Sequence, residues 1–242
     1  MERAADTYMS HLAVQRTRVT SRPLLHQLLE PGDEAVDPKL AHAFVLQWTA
    51  LSMHCQEHGE RYAIEASHRC REVGERALSQ TMLDLAGEAI DRYRRIADDS
   101  RISTQRWNER HEPHVDHTML LMRRPPDSVL RLFSHLERLL AGPRPWTYLA
   151  ALVEIEACAA ALTRIAPELQ DELRSTERGR PSQAMADMTA LLDHKPERLA
   201  PLLETANATL ERIGDILDDC VIAAANLASR RDRGAQDQRR EL

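Results

Sequence analysis

Proline and glycine divide this chain into long segments that suit α-helix, and this division constrains the fold more than any other feature. The breaks fall at "EPGDEAVDP" (30–38), "RRPPD" (123–127), "AGPRP" (141–145) and "RGRPS" (178–182). Between them, apolar residues recur at helical spacing. With only 8 glycines and 4% aromatic residues, the composition favours helix over strand. The sequence therefore predicts an all-α protein.

Prolines and capping residues indicate where the helices begin and end. Asp37 is expected to cap a helix that has Pro38 in its first turn, and Gly74 loosens or ends that helix. The predicted helices cover about 4–29 (interrupted near Arg22-Pro23), 38–73, 76–100, 128–140, 146–176, 182–192 and 196–229. We expect one domain over residues 1–230, a bundle of about seven helices, followed by a disordered polar tail at 231–242.

Charge and hydropathy exclude several classes of function. The net charge is -6 and the isoelectric point is about 6.0, whereas nucleic-acid binders are usually basic. No apolar run approaches the roughly 18 residues of a membrane span, and the N-terminus lacks an apolar signal region, so a cytoplasmic protein is expected. The 4 cysteines are far apart, which argues against a disulfide framework or a zinc ribbon. Nearly all cations are arginines, a bias typical of a GC-rich bacterial genome.

A carboxylate stands near the centre of an apolar helix face in "YLAALVEIEACAAAL" (148–162). At 100° per residue, Glu156 shares a face with Leu149, Leu152 and Val153, and Glu154 points to a different side that is also largely apolar. A buried carboxylate must be paired or bound to a metal. Glu156 is therefore either the partner of one of the arginines, or a metal ligand or general base.

Three further groups of polar residues are candidate ligands. His58 and Glu65 lie at the edge of an apolar stripe on the helix at 38–73, and Glu65-x-x-His68 places a carboxylate and an imidazole on one helix face, a spacing that di-iron bundles use in pairs. The alternative is a solvated helix edge. His194 precedes a helix start beside Asp193, and its alternative is an incidental position next to a capping residue.

The third group is the stretch "RWNERHEPHVDHTM" (106–119), where His111, His114 and His117 recur at intervals of three with acidic residues between them. Nitrogen and oxygen ligands of this kind suit iron, zinc or manganese. Pro113 opposes a regular helix before it, so the alternative is a solvated connection between helices.

The run "RRPPDSVLRLFSHLERLLAGPRPWTYLAALVEIEACAAAL" (123–162) resembles the middle of haem-oxygenase-like di-iron oxidases and their TenA- and PqqC-like relatives. In that family a Pro-rich turn and an amphipathic helix precede a helix with a central ligand Glu, a place that Glu156 would take. The family's late His-x-x-x-Asp-x-x-His set lies at roughly the distance of His194. Here the positions four and seven further on are Arg198 and Pro201, so this chain departs from the ligand pattern.

The resemblance implies a haem-oxygenase-like or ferritin-like bundle and a small-molecule oxidase or oxygenase, of a kind found in secondary metabolism, that uses iron and O₂. The residues expected to act on the substrate are Glu156, His58 and Glu65. The expected metal ligands are Glu156, Glu65, His68, His114, His117 and His194. Two alternatives stay open: a metal-free or cofactor-independent small-molecule-binding protein on the same fold, and a helical dimerisation protein. We also expect a homodimer.

Overall fold

The computed structural model of this chain describes residues 3–23, 25–26, 37–165 and 183–230. Every regular element in these ranges is helical. The α-helices are α1 (Ala4–Thr20), α2 (Pro38–Glu57), α3 (Gly59–Glu72), α4 (Arg76–Arg110), α5 (His117–Leu121), α6 (Asp127–Ala141), α7 (Tyr148–Ile165), α8 (Gln183–His194) and α9 (Leu199–Ala228). Short 3₁₀ turns, Pro145–Thr147 and Pro196–Arg198, precede α7 and α9.

Local chemistry explains several of the helix ends. The Asp37 carboxylate accepts a hydrogen bond from the Lys39 backbone N–H at 2.9 Å, which caps α2 as the sequence predicted. At the end of α3, Gly74 has a φ of 83°, and the N–H of Glu75 donates to the Cys70 carbonyl at 2.8 Å. This geometry is a Schellman motif, in which glycine is favoured because a Cβ would be strained at positive φ.

Helix α9 is at the centre of the bundle and packs against α1, α2, α6 and α7. Helices α3 and α4 form an antiparallel hairpin, and α2 packs on the long α4 as well as on α9. Buried side chains from all these helices form one apolar core, whose largest fully buried members are Trp107, Tyr8, Tyr148, Leu12, Leu25, Leu46, Met82, Leu149, Met188, Leu192, Leu202 and Leu210. This arrangement confirms the prediction of an all-α helical bundle.

Two predicted boundaries were wrong. The helix expected over 38–73 is interrupted at His58, which separates α2 from α3, and the helix expected over 76–100 continues to Arg110. The predicted tail at 231–242 lies outside the described residues. In the described part of the chain, no helix combines the length and the apolar character that a bilayer crossing requires.

Candidate functional site

Glu154 is the more deeply buried of the two carboxylates on α7, and it is fully paired. Its side chain has no exposed surface, and it accepts hydrogen bonds from Arg16 Nε and Nη2 at 2.8 and 2.9 Å. The Tyr8 hydroxyl donates a third hydrogen bond to Oε1 at 3.2 Å. Burial raises the pKa of Glu154, and the bonds from Arg16 oppose that shift. The cluster ties α1 to α7, which is a structural role.

Glu156 is two residues further along α7, on the opposite side of the helix from Glu154, and pairs with α4. Arg92 Nη2 is 2.5 Å from its Oε1, and the two side chains are only 18% and 12% exposed. Both carboxylate oxygens are buried, yet neither accepts a well-aligned hydrogen bond from another described group. The ion pair therefore satisfies the charge of Glu156 without satisfying its hydrogen-bonding capacity. Of the two explanations left open by the sequence, the observed contact fits the arginine partner.

A small cavity adjoins Glu156 in the bundle interior. Its walls combine small or apolar residues with three polar side chains, and they are formed by Gln56, Gly59, Ala63, Leu85, Ala89, Arg92, Leu152 and Glu156. The volume is about 10 Å³, which is close to the space that one water molecule needs. A substrate of several heavy atoms does not fit there, so the Glu156 region is not a preformed substrate site.

The candidates on α3 and at its start do not converge on Glu156. His58 packs its ring against Phe133, with 5.1 Å between the ring centroids, at the junction of α2 and α3. Glu65 is about half exposed and accepts a hydrogen bond from Arg69 at 2.9 Å. His68 is exposed on the surface of α3. The Glu65-x-x-His68 spacing is thus at the solvated helix edge that the sequence left open as the alternative.

The remaining candidates are also separate from one another. His194 ends α8, and its Nδ1 donates to the Ala190 carbonyl at 2.7 Å. His117 begins α5, with its Nε2 at 3.3 Å from the Ser100 hydroxyl, and burial lowers its pKa. Among the residues that the structure describes, no three or more His, Cys, Asp or Glu side chains are grouped closely enough to hold a metal ion. The iron site remains a prediction without a described ligand cluster.

The stretch 106–119 comprises the end of α4, a connection at 111–116 and the start of α5. The Asn108 side chain pairs with the backbone of Val115: its Nδ2 donates to the Val115 carbonyl at 2.9 Å, and its Oδ1 accepts from the Val115 N–H at 2.7 Å. The Trp107 indole donates to the Pro113 carbonyl at 2.9 Å. Because these three bonds replace the backbone pairing that the loop lacks, they hold His111 and His114 in fixed positions.

These loop residues form one wall of an open cleft of about 700 Å³ at the end of the bundle. The other walls come from the start of α2 and the end of α9. The lining residues are Lys39, Asn108, Glu109, Arg110, His111, Glu112, His114, Ala228, Ser229 and Arg230. A volume of this size matches a small-molecule site. We call this feature the end cleft.

Cations exceed anions in the end cleft. Lys39, Arg110 and Arg230 carry positive charge, whereas Glu109 and Glu112 carry negative charge. The Glu109 carboxylate already accepts a hydrogen bond from Gln105 at 2.9 Å. Lys39 Nζ lies 3.4 Å from the backbone carbonyl of Arg230, where it offsets the negative end of α9. The cleft therefore presents a modest positive surplus and two histidines.

His111 has a close neighbour just outside the cleft lining that the sequence did not predict. His42, on the first turns of α2, has its Nδ1 2.7 Å from His111 Nε2. The two residues are 69 positions apart, and His42 stands in no motif. Only the packing of α2 against the end of α4 brings them together, so no local signal identified the pair.

No family model matches the chain, and no match was found among curated proteins or solved structures. The resemblance to haem-oxygenase-like oxidases, the use of O₂ and the homodimer accordingly stay predictions.

Proposed function

We propose that this chain is a metal-independent small-molecule-binding protein that takes a small anionic ligand, such as a carboxylate, sulfate or phosphate compound, in the end cleft. The observation that carries the proposal is the 700 Å³ cleft with Lys39, Arg110 and Arg230 in its walls. Guanidinium and ammonium groups donate strong, charge-assisted hydrogen bonds to such anions.

Two differences between the end cleft and the Glu156 cavity support the end cleft as the ligand site. The Glu156 cavity has room for about one water molecule, and its carboxylate already faces Arg92. The end cleft is open to solvent, and its loop wall is fixed by Asn108 and Trp107. A preformed wall lowers the entropy lost when a ligand binds.

The proposal is tested by NMR titration of the full chain with sodium sulfate at constant ionic strength. Sulfate is expected to shift the backbone amide signals of residues that line the end cleft. Lys39→Met and Arg110→Met are expected to weaken the apparent affinity by about tenfold each, the loss typical of one charge-assisted hydrogen bond. Arg61→Met removes a cation of α3 that pairs with Glu137 of α6; it is the matched control and should leave the affinity unchanged.

Shifts that are absent, or that persist equally in the Lys39 and Arg110 variants, would overturn the proposal. Anaerobic addition of ferrous iron followed by elemental analysis separates it from the iron-dependent oxidase. The metal-independent protein retains no stoichiometric iron. Stoichiometric iron that is lost in Glu156→Ala would favour the oxidase instead.

A further inference from the structure

The proton positions on the His42–His111 pair follow from the donors around it. The ring nitrogens His42 Nδ1 and His111 Nε2 are 2.7 Å apart, so one of them must carry a proton and the other must accept it. Arg110 Nη1 lies 3.4 Å from His42 Nε2, and a guanidinium only donates. His42 Nε2 therefore accepts, His42 Nδ1 carries the proton, and His111 Nε2 accepts it in turn.

This order leaves no position for a second proton without a rearrangement. A proton added to His111 Nε2 would face the N–H of His42. If His42 instead moved its own proton to Nε2, that proton would face the Arg110 guanidinium. In both cases two donors oppose each other at hydrogen-bonding distance, which is repulsive. At least one of the contacts that link Arg110, His42 and His111 must therefore break when the histidine pair takes up a proton.

The charged groups around the pair also disfavour its protonation. Asp37 and Lys39 at the start of α2 and Arg110 on α4 act electrostatically on His111. The other charged or titratable residues that line the cleft with it are Glu109, Glu112, His114 and Arg230. Burial is the largest cause that lowers the pKa of His111, and His42, Lys39 and Arg110 lower it further, while Asp37 opposes them. Without a ligand anion in the end cleft, the neutral form of His111 is favoured.

An anion in the end cleft reverses this balance. It supplies an acceptor for the displaced N–H, and its charge attracts the imidazolium. His111 itself lines the cleft, so the bound anion and the new charge would be close neighbours. By linkage, a ligand that favours protonation is bound more tightly when the protein is protonated.

We propose that the His42–His111 pair couples anion binding in the end cleft to the uptake of one proton from solvent. This inference rests on the proposed function of the cleft. The proton resides on the imidazole pair while the anion is bound and returns to solvent when the anion leaves. The cleft then binds its ligand more tightly in mildly acidic solution than in neutral solution.

Sulfate tests this coupling because it does not itself titrate near neutral pH. Its affinity is measured by calorimetry from about pH 5 to pH 8, in buffers of different ionisation enthalpy so that proton uptake is counted directly. We expect uptake approaching one proton, and an affinity that rises as pH falls by at most about tenfold per pH unit, the limit for one linked proton. His42→Gln and His111→Gln are expected to abolish the uptake, whereas His68→Gln, at an exposed histidine of α3 outside the cleft lining, should retain it.

A second readout needs no ligand. Long-range ¹H–¹⁵N NMR spectra of the neutral protein should show His42 protonated on Nδ1, the less common tautomer. Sulfate binding that does not depend on pH, uptake that persists in His42→Gln and His111→Gln, or an Nε2-protonated His42 would each overturn the coupling and leave the proposed function standing. Absence of sulfate binding at every pH would overturn both.

Discussion

Arg16 and Glu154 join the first helix of the bundle to the seventh through two parallel hydrogen bonds of 2.8 and 2.9 Å. The carboxylate has no exposed surface, and the arginine side chain is 19% exposed. Most of the pair is therefore removed from water, where a lost partner leaves an uncompensated charge. This relationship gives the first prediction.

Glu154→Ala is expected to lower the free energy of unfolding by roughly 3–5 kcal/mol, because Arg16 and the Tyr8 hydroxyl both lose their buried acceptor. The triple replacement Tyr8→Phe, Arg16→Met, Glu154→Leu removes all three polar groups together and should recover most of that loss. Urea unfolding measures each variant. Glu65→Ala is the control, since the exposed Glu65–Arg69 pair is worth less than about 1 kcal/mol. Equal losses in Glu154→Ala and Glu65→Ala would contradict the buried-pair interpretation.

His135 makes the fold sensitive to acid. It is buried on α6, with Nε2 at 3.0 Å from the Thr209 hydroxyl, which itself donates to the Thr205 carbonyl. Burial, with Arg212 and Arg138 nearby, lowers the pKa of His135 from 6.5 to about 4. Between these values the unfolded chain binds a proton that the folded protein does not, so stability falls as pH decreases through this window.

The difference corresponds to on the order of 3 kcal/mol of unfolding free energy between neutral pH and pH 4. His135→Gln keeps a donor for Thr209 and removes the titration, so it should flatten the pH dependence of the urea midpoint. His68→Gln, at an exposed histidine, serves as the control and should not flatten it. An unchanged slope in His135→Gln would show that other groups cause the acid sensitivity.

Gly214 provides a test of packing around α9. A Cβ at this position would collide with Arg22 Nη1 and lie 2.9 Å from its Cζ. Arg22 crosses the glycine to reach Asp218, at 2.9 Å from its Nε. Glycine in a helix interior normally costs about 1 kcal/mol relative to alanine. Here we expect Gly214→Ala to gain little, because the arginine must move and its ion pair is weakened.

In an Arg22→Ala background the obstacle is gone, and Gly214→Ala should stabilise the protein by about 1 kcal/mol. Thermal unfolding of the four variants in this cycle gives the coupling between the two sites. The same gain in both backgrounds would mean that the side chain of Arg22 does not occupy the space above Gly214.

Asn108 is expected to control the order of the loop that forms the cleft wall. Asn108→Ala removes both bonds to Val115. Each loss costs about 1 kcal/mol in net stability, and the exchange of the Val115 N–H should accelerate by at least about tenfold. Hydrogen exchange followed by NMR measures this. Gln105→Ala, which removes a polar contact one turn earlier on α4, is the matched control, and an equal acceleration there would contradict the role of Asn108.

Much of the fold was predictable because local chemistry determines it. Asp37, Pro38 and the prolines of the connections mark helix ends through caps and missing donors. The interruption at His58 was not predictable in the same way. Apolar residues continue at helical spacing past Gly59, and a single glycine within such a pattern is usually tolerated in a helix. From that break onward α3 packs against α4, a contact between helices that no local pattern in the sequence specifies.

The candidate site was less predictable, because it depends on which distant side chains meet. The burial of Glu156 followed from helical periodicity, but periodicity cannot select Arg92 from 30 arginines. Glu154 is the more deeply buried carboxylate, although it is outside the apolar face that Glu156 shares with Leu149 and Leu152. The histidines of the stretch 106–119 stand out in the sequence, but the partner of His111 is on a helix that begins about seventy residues earlier.

The fixed loop has a consequence for the speed of ligand exchange. Asn108 and Trp107 already hold the wall of the end cleft, and none of the described residues closes its mouth. The proposed ligand would therefore enter and leave without a gate in the described part of the chain. Association would then be limited by diffusion and accelerated by the cations of the rim, so it should slow as salt screens them. A protein built in this way suits rapid sampling of a changing ligand concentration better than long-term storage of the ligand.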